Sequence, residues 1–162
     1  MAYCRLTHTD ETAMELVWRI ASAADFEQLH QLRLAAMQDS LMQLGRYDPE
    51  RSRERFASSF TPGATRVLHR DGKLLGFMML RREPEVWQLD HLYLHPAAQQ
   101  QGLGSRILAG LCREADAARR DIALGALRGS AANRFYLRHG FKPVREEEWD
   151  IYYLRPHSNR HE

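Results

Sequence analysis

The sequence predicts an α+β fold: two or three early helices, a mostly antiparallel sheet, and two later helices set between strands. Three observations predict it. Apolar residues recur at helical spacing over residues 26–37 and 107–118. Short β-rich runs occupy 65–80, 86–94 and 122–127. Glycine, proline and aspartate punctuate the junctions between the two kinds of segment.

The elements follow in order. Leu16, Trp18 and Ile20 alternate with Val17 and Arg19, a short strand with an apolar face. Asp25 stands where a helix cap belongs, ahead of Phe26, Leu29, Leu32, Leu34–Ala36 and Met37. Ser40–Leu44 reads as a second helical piece ended by Gly45. Pro49 opens a charged third helix through Phe60, stopped by Pro62-Gly63. Thr65–Arg70 and Lys73–Leu80 form a hairpin around Asp71-Gly72. Val86–Leu94 is the next strand, ended by Pro96. Gly-rich Gln99–Ser105 leads into a helix with the stripe Ile107, Leu108, Leu111, Ala115 and Ala118. Ile122–Leu127 is a strand. Ser130 is placed to cap a short helix, Ala131–His139, which Gly140 ends. Phe141–Val144 and Trp149–Leu154 close the chain as strands around Glu146-Glu147-Glu148. Residues 1–13 read as a frayed tail, 14–155 as one domain and 156–162 as a second tail.

Composition bounds the function. The 162 residues, 44% hydrophobic, suffice for one core. Twenty-three Lys+Arg against 21 Asp+Glu gives +2, without the basic excess of a nucleic-acid binder. Two cysteines, Cys4 and Cys112, make neither a disulfide framework nor a four-thiolate zinc site. The expectation is a reduced, cytoplasmic setting. The N-terminus lacks a signal-like apolar stretch, and no window approaches the roughly 20 apolar residues of a membrane span. Neither a nucleic acid nor a membrane is expected as partner.

Chemistry enters at Leu92-Tyr-Leu-His-Pro-Ala-Ala-Gln-Gln-Gln-Gly-Leu-Gly-Ser-Arg, a strand end, a loop and a helix start. Gly102 and Gly104 let the backbone turn sharply and bring successive N–H groups toward an anion. The helix start adds unpaired N–H groups and the positive end of its dipole. Alone, the glycines equally fit a tight strand-to-helix turn. A P-loop needs Gly-Lys-Ser/Thr, and Gly104 is followed by Ser105-Arg106. A dinucleotide fingerprint needs a third glycine where Ile107 sits.

These residues resemble the N-acetyltransferase (GNAT) superfamily. Its main motif, Gln/Arg-x-x-Gly-x-Gly/Ala, matches Gln99-Gln100-Gln101-Gly102-Leu103-Gly104, preceded by Leu92-Tyr93-Leu94-His95-Pro96. A second family motif matches Asn133-Arg-Phe-Tyr136-Leu-Arg-His-Gly140-Phe141. The resemblance covers roughly residues 14–155. It implies the GNAT fold, a mixed, mostly antiparallel central sheet splayed between two parallel strands and flanked by helices. Acetyl-CoA would lie in the opening between strands 86–94 and 122–127. By family pattern the backbone of Leu92, Tyr93 and Leu94 pairs with the pantetheine arm. Amides of Gln99, Gln100, Gln101, Gly102, Leu103, Gly104 and Ser105 hold the pyrophosphate, and Asn133 touches pantetheine. Many members carry Asn-Pro-Ala near this last helix, where the chain has Ser130-Ala131-Ala132. Members are often dimers, which adds a homodimer to the expectations.

The implied reaction is direct attack of a primary amine, on a small molecule or peptide, upon the thioester. An amine of pKa about 10.4 is almost wholly protonated at pH 7, so releasing its proton costs roughly 4–5 kcal/mol. Tyr136 matches the family tyrosine that protonates the thiolate, or is a core aromatic. Where many members keep a glutamate base, this chain has Gln88. Asp90, on the same strand face, and His91 are the substitutes. Asp90 paired to an arginine of the early helices, or water alone, are the alternatives. His91 and His95 lie about 13 Å apart on a strand, too far to share a metal ion, and no metal is expected. Cys112 reads as packed. The acceptor would meet Met37–Tyr47 and Arg145–Trp149. There Glu146–Glu148 with Asp150 attracts a cationic amine or is merely solvated, and Tyr47, Trp149 and Tyr152 offer aromatic faces. Two other readings stand beside this one: an acetyl-CoA- or CoA-binding regulatory module without transfer, and a binding scaffold without cofactor.

Overall fold

A computed structural model describes residues 4–6 and 16–158. In it β1 (Cys4–Leu6) pairs antiparallel with β2 (Leu16–Ile20), so part of the expected N-terminal tail is a strand. The rest of that tail lies outside the described residues. α1 (Phe26–Gln43) and α2 (Pro49–Ser59) follow, then β3 (Thr65–Arg70), β4 (Lys73–Arg82) and β5 (Val86–Leu94). α3 (Leu103–Ala118), β6 (Asp121–Leu127), α4 (Ala132–Arg138), β7 (Lys142–Glu146) and β8 (Asp150–Arg155) complete the chain. The strand order is β1-β2-β3-β4-β5-β6-β8-β7, mostly antiparallel, with β5 and β6 as a parallel pair. The described residues form two compact units, those up to Met79 together with His91–Ala98, and Leu80–Asp90 together with those from Gln99 onward.

In the first unit, β2 runs against β3 from Leu16↔Arg70 to Ile20↔Arg66. Asp71 and Gly72 both take positive φ, 51° and 74°, the backbone that a two-residue hairpin turn needs. α1 is one helix, not two pieces. Gln38 and Asp39 are exposed, so polar residues on its solvent face interrupt nothing. Asp25 does not cap it. Its carboxylate accepts the Ser22 N–H at 2.8 Å and takes both ends of the Arg19 guanidinium, at 2.7 and 2.8 Å. α2 starts at Pro49 as expected, and Asp48, a cap that sequence reading did not name, accepts the Arg51 N–H at 3.1 Å. Phe56, Val67 and Phe77 form the buried centre with Leu29 and Leu32, and Phe26, Phe60 and Tyr93 pack around it.

In the second unit, β5 and β6 are in register from Val86↔Asp121 to Leu89↔Leu124. Trp87 and Leu89 point into the core while Gln88 and Asp90 are half-buried, the alternation that a strand imposes. β6 also pairs with β8, where Tyr152 covers Gly125. Leu108, Leu111 and Ala115 bury the stripe of α3, and Ile122, Tyr136, Phe141 and Tyr153 are buried too. Beyond β8, part of the second expected tail is tied down. The His157 N–H donates to Asp121 Oδ1 at 3.0 Å and the Ser158 N–H to Asp116 Oδ1 at 2.9 Å. Residues 159–162 lie outside the described ones.

Candidate functional site

The glycine loop makes a sharp turn into α3. Gly102 takes φ 74° immediately before α3, and Gln100, a residue with a side chain, takes φ 64°. A Cβ at Gly102 would meet nothing within 4 Å, so the glycine is needed for its backbone angle and not for space. The Arg106 N–H donates to the Gly102 carbonyl at 3.1 Å. The amides of Leu103, Gly104 and Ser105 precede that first helical bond, so the helix itself supplies them no acceptor. Gln99, Gln100, Gln101, Gly102 and Ser105 are exposed, whereas the Leu103 side chain is buried and holds the loop to the core. Ser105 Oγ shares a 3.2 Å hydrogen bond with His139 Nε2, and His139 lies edge-on to Phe135 at 5.0 Å. Burial, with Arg138 nearby, holds His139 below the usual histidine range. Sequence reading passed over His139, and no local signal marks it.

In the first unit, the end of β5 is fixed by a close approach. A Cβ on Gly76 of β4 would stand 2.5 Å from the Tyr93 carbonyl oxygen and 2.7 Å from Leu94 Cδ2. The His95 N–H donates to the Leu75 carbonyl at 2.6 Å. Only glycine permits β4 to run this near Tyr93 and Leu94. Leu92, Tyr93 and Leu94 are half-buried. They lie beyond the parallel register, which ends at Leu89↔Leu124.

The two candidate bases have different surroundings. Asp90 faces Arg81: Nε lies 2.5 Å from Oδ2 and Nη2 3.1 Å from Oδ1. The partner arginine therefore comes from β4 and not from the early helices. Reading that strand to Leu80 instead of Arg82 hid the pairing. His91 is buried against Phe56, edge-on at 5.2 Å, with Phe77 and Tyr93 around it. Its Nε2 shares a 2.9 Å hydrogen bond with Ser59 Oγ at the end of α2. His95 is exposed, and its Nδ1 accepts the Ala97 N–H at 3.1 Å. Among the described residues no group of three His, Cys, Asp or Glu side chains is arranged for a metal ion. Cys112 is buried, which pushes its thiol up.

Tyr136 is buried on α4, with Phe141 edge-on at 5.5 Å and Phe135 at 5.4 Å. Ser130 does not cap α4. Asn133 reaches back instead: its Nδ2 donates to the carbonyls of Leu127 at 2.8 Å and Ser130 at 3.0 Å, and to Ser130 Oγ at 3.2 Å. Its Oδ1 accepts the Tyr153 hydroxyl at 2.7 Å. Asn133 thus ties the β6–α4 turn to β8.

The acidic turn carries its own countercharges. Arg128 donates to the Glu147 carbonyl at 2.7 Å and lies 3.5 Å from Glu146 Oε2, and Arg145 lies 3.5 Å from Glu147 Oε1. Tyr152 donates to Glu147 at 3.2 Å and lies under the Arg145 guanidinium at 4.2 Å. Trp149 and Tyr47 are exposed. No helix among the described residues is long and apolar enough to cross a membrane.

A family model for the acetyltransferase (GNAT) domain matches residues 62–143. No curated protein matches the chain by sequence. Solved structures share the fold. PaiA N-acetyltransferase of Thermoplasma acidophilum, in complex with coenzyme A, is 19% identical at a TM-score of 0.66, covering 88% of this chain and 99% of its own. The ribosomal-protein-S18-alanine N-acetyltransferase of Escherichia coli is 20% identical at 0.67, over 88% and 94%. N-acetylglutamate synthase of Neisseria gonorrhoeae, with coenzyme A and N-acetyl-glutamate, is 20% identical at 0.59, over 89% of this chain and 35% of its own.

Proposed function

This chain belongs to the acetyltransferase (GNAT) family, and on that footing we propose that it moves an acetyl group from acetyl-CoA to a primary amine by direct attack. The observation that carries the reading is the loop Gln99–Ser105, where Gly102 at φ 74° opens α3 with its first amides unclaimed by the helix. Those amides fit a pyrophosphate. This explains how a chain of net charge +2 holds a highly charged cosubstrate without a basic surplus. The backbone of Leu92–Leu94, held by Gly76, is the segment that pairs with pantetheine. Asn133 acts by shaping the turn before α4, because its amide is committed to Leu127, Ser130 and Tyr153.

Acetyl-CoA supplies the activated acyl group. The chain's residues handle protons. We assign the acid to Tyr136, which gives its hydroxyl proton to the departing thiolate. The base is His91, whose Nε2 communicates with Ser59 Oγ, and not Asp90, whose carboxylate is engaged by Arg81. Tyr136→Phe is expected to lower turnover at least tenfold while the thermal shift given by acetyl-CoA persists. Unchanged turnover across the pH range removes Tyr136 from the mechanism.

One observation favours a second reading. With Gln88 in place of a carboxylate and Asp90 paired, the strand offers no free carboxylate to act as base, as suits a CoA-binding module without transfer. A thermal shift with acetyl-CoA, but no thiol release with any amine, supports that reading over the enzyme.

A further inference from the structure

Arg33, on α1, is a half-buried cation with no carboxylate to hold. Of its five N–H donors, one is bonded: Nη1 donates to Ser52 Oγ on α2 at 2.7 Å. Its Nε is buried and makes no hydrogen bond. Of the two acidic side chains on α1, Glu27 and Asp39, Glu27 is taken by Arg53. Among the described residues, no Asp or Glu lies within ion-pair distance of Arg33. Two aromatic faces flank the guanidinium instead, Tyr93 at 5.7 Å and Phe56 at 6.0 Å. Next to it, His30 is pushed below the usual histidine range by burial first and by Arg53 and Arg33 after it.

A planar fork held by one serine and two rings, with donors to spare, is built to take two oxygens of one planar anion. Tyr93, the ring against it, belongs to the same β5 segment to which pantetheine pairing is assigned above. We propose that Arg33 anchors a carboxylate of the amine acceptor, so that the preferred acceptors are amino carboxylates. This rests on the transferase reading and reverses the charge expected of the acceptor from the acidic turn, whose carboxylates already have Arg128 and Arg145.

The test compares L-alanine, 4-aminobutyrate and 6-aminohexanoate, each with its own carboxamide, as acceptors for thiol release from acetyl-CoA. Thermal shifts with the same six compounds run in parallel. The expected result is at least a tenfold higher kcat/KM for the acid in one or more pairs. Arg33→Gln raises the KM of that acid at least tenfold and leaves the carboxamide KM within twofold. Arg33→Lys, which keeps the charge and loses the fork, falls between the two and serves if Arg33→Gln does not fold. Equal rates for acid and carboxamide, or a preference that survives in both variants, overturns the proposal. So does a rise in the KM for acetyl-CoA instead of the acid, which would place a phosphate at Arg33. If no amine yields thiol, but an acid raises the melting temperature only when Arg33 is present, the transfer reading fails and the anchor stands. If neither occurs, both fail.

Discussion

Tyr136 and Phe141 close the end of α4 on each other. The Phe141 N–H donates to the Tyr136 carbonyl at 3.2 Å, the Gly140 N–H donates to the Leu137 carbonyl at 3.4 Å, and the two rings meet edge-on at 5.5 Å. This is a Schellman cap, with the apolar contact that accompanies it and glycine at φ 84° where the chain turns left-handed. The spacing Tyr-x-x-x-Gly-Phe is therefore a mechanical unit that aims Tyr136. Gly140→Ala introduces no clash, since its Cβ would find only Arg155 Nε at 3.9 Å. Its penalty is backbone strain, about 1 kcal/mol. Thermal unfolding should show that loss, and kcat should fall more than the affinity for acetyl-CoA. A neutral effect on both would mean that the cap does not set the tyrosine.

Gly76→Ala tests the close approach of β4 to Tyr93 and Leu94. The new methyl would meet a backbone oxygen at 2.5 Å, so a strand has to move. The expected destabilisation is about 2 kcal/mol. The KM for acetyl-CoA should rise severalfold, because the displaced backbone is the segment assigned to pantetheine. Measured by denaturant unfolding and steady-state kinetics, a stable variant with unchanged KM would contradict that assignment.

Asp90→Asn separates ion pairing from catalysis. Arg81 is substantially exposed and also contacts Glu83 at 2.7 Å. Losing the Asp90 charge should destabilise by no more than about 1 kcal/mol. Turnover should stay within threefold of the parent, whereas His91→Gln should lose at least tenfold. A hundredfold loss in Asp90→Asn would return the base to Asp90.

Two aspartates set the acid stability, one in each unit. The Arg19 hydrogen bonds hold Asp25 at about 2, and the Arg155 hydrogen bonds hold Asp116 at about 2, against an ordinary 3.8. Each carboxyl binds its proton less readily when folded than when unfolded. Its stabilisation is fully present above pH 3.8 and is lost as pH falls through about 2. With solvent screening this amounts to about 1 kcal/mol per group. Melting temperature against pH should bend downward in that window, and Asp116→Asn should flatten part of the bend. A flat profile would contradict both pairings.

Much of the fold was legible because local signals and tertiary packing agree. Asp71-Gly72, the Pro49 helix start, and the alternation along Val86–Leu94 all appear where the residues place them. The failures share a cause: a side chain read by its local role takes a distant or different partner. Asp25 and Ser130 look like caps, but Arg19 claims one and Asn133 the other. The break expected before Ser40 is absent because polar residues on an exposed helix face are no interruption. The sharp turn into α3 was readable from Gly102 and Gly104. Arg33 was not, since an arginine in a helix says nothing of its partner until Ser52, Phe56 and Tyr93 are brought to it.

The central claim is that this chain transfers acetyl groups, and the most direct measurement is product analysis. Incubated with acetyl-CoA and the matched amines, the protein should yield acetylated amine and free CoA in equal amounts by mass spectrometry and thiol titration. Tyr136→Phe should slow both together while acetyl-CoA still raises its melting temperature. Acetyl-CoA that binds and returns intact from every amine, at every pH, would contradict the account.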